Sequence, residues 1–288
     1  MQNFVILTDS GTDFTAEMAA ELDVVVLDLM VSVDGCAPVP NSAVDPKELY
    51  AKLRDKKTAS TSAVNSETLR EKMEEYLKEG RDVLYLGFSS GLSYTYTAGK
   101  LAADELAEAY PDRKIYAVDT LCASLGQGLL VYHAAMLRKD GADIDAVRDF
   151  AEENKLHLCH WFTVDDLFFL KRGGRVSGAT AVVGTMLGIK PVMHVDNEGK
   201  LIKVSTARGR KASIDAMFNN MSASLLHNAE DTVAFISHGD CIEDAEYLKG
   251  RLLNELHVKE VRIGYVGPVI GSHSGPGTLA LFYLGTAR

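Results

Sequence analysis

Short apolar runs alternate with segments of helical period along the first half of the chain. Phe4–Thr8 reads as a buried strand, Thr15–Leu22 as a helix and Val24–Leu29 as a second strand. Asp45-Pro46 sets an acidic cap before a proline at the first helical position, so a helix starts there and runs to Lys56. Thr58-Ala-Ser-Thr-Ser62 reads as a small polar turn. Ser66–Glu79 reads as a helix capped by Ser66, with Gly80 just past its end. Arg81–Phe88 is a buried strand. It feeds a helix over Ala98–Ala109 through the hydroxyl-rich turn Ser89-Ser-Gly-Leu-Ser-Tyr-Thr95. Lys114–Val118 is a strand, Asp119–Ser124 a turn, and Gly126–Lys139 a helix apolar on most faces and therefore well buried. Ile144–Asn154 is amphipathic. Strands alternating with helices imply a parallel sheet covered on both faces.

The pattern then changes. His157–Val164 is a strand, followed by Asp165–Leu170 and the tight Lys171-Arg-Gly-Gly-Arg175. Ser177–Leu187 has a helical pattern. Ile189–Val195 and Leu201–Thr206 flank Asp196-Asn-Glu-Gly199, a hairpin signal. Helices at Lys211–His227 and Glu243–Leu256 alternate with strands at Thr232–Ser237 and Val261–Val266. A glycine-rich stretch, Gly267–Gly277, precedes the apolar Leu279–Leu284. A hairpin among helices predicts a mixed sheet. The expected fold is α/β in two domains: a three-layer α/β/α parallel-sheet domain over 1–160 and a mixed-sheet α/β domain over 161–288. The length of 288 residues agrees, since single cores stop growing near ~250 residues.

A net charge of −10 argues against nucleic acid and anionic membrane surfaces as main partners. No stretch approaches the ~20 apolar residues of a membrane span, so no stable membrane insertion is expected. The N-terminal apolar run is too short for a signal peptide. Cys36, Cys122, Cys159 and Cys241 are scattered without a CxxC pair, which suits reduced thiols in a cytoplasm.

In parallel sheets ligands sit outside the carboxyl ends of the strands. Four polar turns fall there: Asp9–Asp13, Ser60–Ser62, Ser89–Thr95 and Asp119–Ser124. They are rich in hydroxyls and poor in Lys and Arg. Neutral donors of this kind suit a single carboxylate, although each turn taken alone also serves its own helix. Gly87-Phe-Ser-Ser-Gly91 matches the G-x-S-x-G nucleophile turn. The alternative it raises is a serine hydrolase (esterase- or lipase-like) using Ser89, with Asp119 or Asp166 and then His238 or His273. Against it, Leu92–Thr95 intervene before the helix and no oxyanion segment lies upstream. Asp9-Ser-Gly-Thr-Asp13 reads as a helix cap in preference to an aspartyl phosphotransferase loop. His273 lies between Ser272 and Ser274 amid five glycines and can donate to an anion near neutral pH. His133, His157 and His160 read as structural. No zinc spacing, GxxxxGKS/T or GxGxxG occurs, so no metal or cofactor is expected. Two basic clusters, Lys171-Arg172-Gly-Gly-Arg175 and Arg208-Gly-Arg210-Lys211, present fixed forks suited to an anion or an acidic partner.

Ordered motifs along nearly the whole chain carry a resemblance. They are Leu7-Thr-Asp-Ser10, Thr61-Ser62, Ser89-Ser-Gly-Leu-Ser93, Ala123-Ser-Leu-Gly-Gln-Gly128, Leu170-Lys-Arg-Gly-Gly-Arg-Val-Ser177, Gly188-Ile-Lys-Pro191 and Gly267–Gly277. Together they resemble the DegV family, the fatty-acid-binding proteins that include the FakB subunits of bacterial fatty acid kinase. The resemblance implies the EDD-type two-domain fold with a lipid tail buried between the domains. It implies that a long-chain fatty acid is the ligand, held at its carboxylate by Thr61 or Ser62 and by Ser93, with His273 nearby. It implies a carrier without catalysis of its own that presents the carboxylate to a separate ATP-dependent fatty acid kinase subunit for acyl phosphate formation. Arg172, Arg175 and Arg208 would then face the phosphate or that partner. Two departures stand out. Ala63-Val64-Asn65 replaces the family's x-Pro-Ser, and Tyr94 stands where a glycine is usual, which narrows the mouth of the head-group site.

Overall fold

The computed structural model describes residues 4–177 and 188–288. From the N-terminus the elements are β1 (Phe4–Asp9), α1 (Ala16–Leu22), β2 (Val25–Leu27), β3 (Met30–Val33), β4 (Val39–Pro40), α2 (Pro46–Arg54) and β5 (Ala59–Ser62). There follow α3 (Ser66–Lys78), β6 (Asp82–Gly87), α4 (Thr95–Ala109), β7 (Ile115–Asp119), α5 (Ser124–Lys139) and α6 (Ile144–Asn154). The second half holds β8 (Leu158–Thr163), α7 (Phe168–Arg172), β9 (Ile189–Val195), β10 (Leu201–Arg208) and α8 (Arg210–Ser224). It closes with β11 (Val233–His238), α9 (Ile242–Asn254), β12 (Glu260–Tyr265), α10 (Pro268–Ser274) and β13 (Leu279–Leu284). The helix expected over Ser177–Leu187 lies, but for Ser177, outside the described residues.

The two-domain α/β architecture follows from strand alternation. The first sheet is parallel, in the order β2-β1-β6-β7. Val5 and Leu7 of β1 and Val83 and Tyr85 of β6 pack on Leu69 and Met73 of α3 and Ala98 and Ala102 of α4. Phe4, Ile6, Leu84 and Leu86 point the other way, onto Leu22 of α1, Leu129 and Leu130 of α5, and Val147 of α6. The second sheet is mixed, in the order β10-β9-β8-β13-β11-β12, with only β11 and β12 parallel. Its Ile236, Leu279 and Leu281 pack on α8 and α9. Its opposite face, with Phe162, Phe235 and Phe282, joins the same core as α5. Helix α5 therefore forms a layer shared by both sheets, and this explains why nearly every turn of it is apolar and buried. The change from parallel to mixed pairing comes with β8, which straddles residue 160.

Two sequence expectations need correction. The polar stretch Thr58–Ser62 is not a turn: β5 pairs antiparallel with β3, and with β4 they make a small third sheet. Val24–Leu29 is not one strand, because β2 ends at Leu27 and the chain turns into β3 at Met30. The glycine-rich Gly267–Gly277, assigned no element from the sequence, holds a helix, with Pro268 at the first helical position of α10. The cap of α3 also differs. Asn65, not Ser66, accepts the backbone N–H of Thr68 at 2.8 Å. Replacing Asn65 by Ala should cost about 1 kcal/mol of stability, read as a lowered urea midpoint with an unchanged slope.

Candidate functional site

The carboxyl edge of the parallel sheet faces the inner side of the mixed sheet across a cavity of about 260 Å3. That is well above the ~150 Å3 of an apolar cavity that takes up benzene. Phe88 and Leu92 after β6 and Ala123 before α5 form one wall, and Phe162, Ala280 and Phe282 of the mixed sheet form another. Val269 and Ile270 of α10 close a side. Asp9 holds the first wall in shape. Its buried carboxylate accepts hydrogen bonds from Tyr85 Oη (2.8 Å), Phe88 N (2.9 Å) and Gly11 N (2.9 Å). Burial pushes its carboxyl up, and those donors oppose the shift. The turn at Asp9 is thus a cap and a brace, as the sequence suggests.

Polar groups gather where this cavity meets a second one of about 360 Å3, and Thr61, Arg175 and His273 line both. Thr61 Oγ1 lies 2.7 Å from His273 Nε2, joining β5 to α10. His273 is held neutral, down to about 4, first by burial and then by the charges of Arg175 and Arg172. Gly173 makes room for this ring, since a Cβ there would collide with His273 Nδ1. With its proton on Nε2, His273 donates to Thr61, whose own O–H is then free to donate to a ligand. Ser93 lines the same cavity. It accepts from Thr95 N (3.2 Å) and sits 2.8 Å from Thr95 Oγ1. When Thr95 donates, both Ser93 lone pairs are engaged and its proton is left to point at a ligand. Arg175 braces the backbone beside these hydroxyls, donating from Nε to Leu92 O (3.1 Å) and from Nη1 to Gly173 O. The result is a mostly apolar cavity with two hydroxyls placed to donate and a half-buried guanidinium at one end.

The other candidates are placed differently. Ser62 alternates away from Thr61 along β5, is exposed and does not line the cavity. Arg172 is exposed, lies over the Phe169 ring and lines the second cavity. Arg208 is exposed at the end of β10 and lines neither cavity. Tyr94 stands at the mouth, 61% exposed, while Ala63 lines the wall and Val64 is buried in the core. Ser89 is wholly buried, and its hydroxyl donates to Gly199 O (2.8 Å) in the β9–β10 hairpin. Among the described residues no histidine bonds to Ser89, and its proposed acids cap local turns: Asp119 accepts from Ser90 N and Leu121 N, and Asp166 accepts from Phe168 N. The hydrolase constellation is not assembled. His160, read as structural, is buried on the cavity wall. It accepts from Ala123 N (3.3 Å) through Nε2, which leaves Nδ1 to donate to Leu158 O (3.0 Å). Among the described residues there is no metal-ligating cluster, and no helix is long and apolar enough to cross a membrane.

The sequence profile described as "Uncharacterised protein, DegV family" matches residues 3–286. The chain belongs to the DegV family. A DegV domain-containing protein of Clostridium perfringens is 47% identical over 290 residues, covering 100% of this chain and 99% of the relative. One from Streptococcus pyogenes is 35% identical over 284 residues, with 98% of each chain covered. Solved DegV structures share the fold end to end. A DegV family protein from Thermus thermophilus, described by its fatty acid binding, superposes with a TM-score of 0.87 at 31% identity, covering 99% of this chain and 100% of its own. DegV of Bacillus subtilis, described as a fatty acid binding protein, gives 0.84 at 27% identity over 99% and 100%.

Proposed function

We propose that this DegV protein binds a long-chain fatty acid, with the acyl tail in the cavity between the sheets and the carboxylate at Thr61, Ser93 and His273. The observation that carries the reading is the cavity itself: apolar walls that end at the hydroxyls of Thr61 and Ser93, beside Arg175. The fatty-acid-binding relatives of the same fold support it. Burial of each methylene contributes about 0.8 kcal/mol, so a sixteen-carbon tail offers roughly 12 kcal/mol before ordering costs. The tail sets affinity and the hydroxyls set orientation.

The same reading extends to a carrier, not itself catalytic, that hands the carboxylate to a separate ATP-dependent kinase subunit. A carboxylate at Thr61 and His273 sits at the boundary of the two cavities. Its phosphorylated form would extend into the polar one, toward Arg172 and Arg175. Arg208 belongs to the outer surface, where a protein partner can reach it. The four free cysteines accord with a cytoplasmic, reducing setting. Titration with palmitate tests the binding step. Thr61→Val and Ser93→Ala should each weaken it by about 1–2 kcal/mol and lower acyl phosphate formation with a kinase subunit and ATP. Wild-type affinity and transfer in both variants would remove these hydroxyls from the site, and an unliganded protein that ignores lipid would end the reading.

A further inference from the structure

The inner wall of the acyl cavity carries polar groups that a plain hydrocarbon tail leaves unused. Ser124 at the start of α5 donates its proton to Asp13 Oδ2. Its oxygen lies 3.0 Å from Ser237 Oγ at the end of β11. While Asp13 is ionised and takes the Ser124 proton, Ser237 is the donor in that second bond, and its lone pairs remain open. Ser124 and Ser237 both line the cavity and are 5% and 0% exposed. Ser274, at the end of α10, lines the same cavity at 5% exposure, and its hydroxyl has no protein partner. Asp13, behind Ser124, is itself buried. Buried polar groups are ordinarily satisfied, so this wall is built for something.

We propose that it is a second polar subsite, and that the cavity takes a fatty acid bearing an alcohol along its chain. Ser237 offers an acceptor and Ser274 an unused donor, and a hydroxyl is a small group that both donates and accepts. A wall meant for methylenes alone would have alanine or valine at these positions, as it has at Ala123, Ala280 and Val195. In its ionised form Asp13 sets the direction of this chain of protons: it accepts from Ser124, and Ser237 stays turned to present its lone pairs. This inference rests on the fatty-acid reading above.

The test is a titration of the full chain with stearate and with a series of monohydroxystearates in which the alcohol is moved along the tail. At one position the hydroxy acid should bind at least as tightly as stearate. At the others it should bind about tenfold or more weakly, because the alcohol is stripped of water without a partner. Ser274→Ala removes a hydroxyl that holds nothing in the fold, so its structure is safe, and Ser237→Ala serves as the second variant. Each should weaken the favoured hydroxy acid about tenfold and leave stearate unchanged. Stearate binding with the same penalty for an alcohol at every position, as when buried water fills the subsite, overturns this inference alone. So does a preference that both variants retain. Failure of every acid to bind overturns this inference and the fatty-acid reading together.

Discussion

Acidification from pH 6.5 to pH 4 should strip the protein of much of its stability. His133, His194 and His273 are each held down to about 4, with burial the leading cause. His160, fully enclosed, is pushed down further. In the unfolded chain these rings take up protons near pH 6.5. The native state, which binds fewer, is therefore favoured above that value and loses the advantage as the pH falls toward 4. A depression of this size corresponds to roughly 3 kcal/mol per ring, less at the partly exposed His133 and His273. Asp13 acts in the opposite sense. Burial raises it to about 7, so its folded carboxyl keeps a proton that the unfolded chain sheds, and it regains roughly 4 kcal/mol on the same descent. Asp9, also raised by burial, opposes them too, but four depressed rings outnumber the two raised carboxyls, and stability should fall from a usual total of about 5–15 kcal/mol. Urea midpoints should fall steeply between pH 6.5 and pH 4. A flat profile across that window would show that these rings are charged in the native state.

Ala280→Phe should abolish tight lipid binding without harming the fold. Ala280 lies on β13, flanked in register by Ser237 of β11 and Phe162 of β8, and its side chain faces the cavity. A phenyl group there displaces four or five methylenes of the ligand. At about 0.8 kcal/mol each that is a loss of roughly 3–4 kcal/mol, a hundredfold or more in affinity. The ring enters existing space, so melting temperature should hold or rise. Palmitate titration and a thermal melt decide the matter together. Native melting with undiminished binding would place the acyl chain elsewhere.

Some of this was legible in the sequence because chemistry and geometry coincide there. The two strand–helix regimes follow from apolar spacing, and the burial of α5 follows from a helix with hardly a polar face. The third sheet escaped because β5 is four small residues, three of them hydroxylated, with no apolar alternation to betray a strand. Helix α10 was hidden by its glycines, which pattern reading treats as loop-forming. Thr61 and Ser62 look interchangeable until pairing with β3 assigns one to each side. The cavity walls are the least readable part. Phe162 and Phe282 are indistinguishable in sequence from ordinary core residues, because a wall waiting for an alkyl chain has the composition of a core already filled. Ser237 and Ser274 carried no signal either, since a serine at the end of a strand or helix is unremarked until its neighbours are known.

Helix α5 has one more consequence. Its greasy surface belongs to both sheets at once, so the chain has two domains by topology but one hydrophobic cluster that runs through both. Neither half could be excised, transplanted or exchanged with a cousin as a self-sufficient module. Whichever piece kept the helix would display an oily flank, and whichever lost it would have a bare sheet. The vessel for the ligand exists only while both halves clasp the same rod.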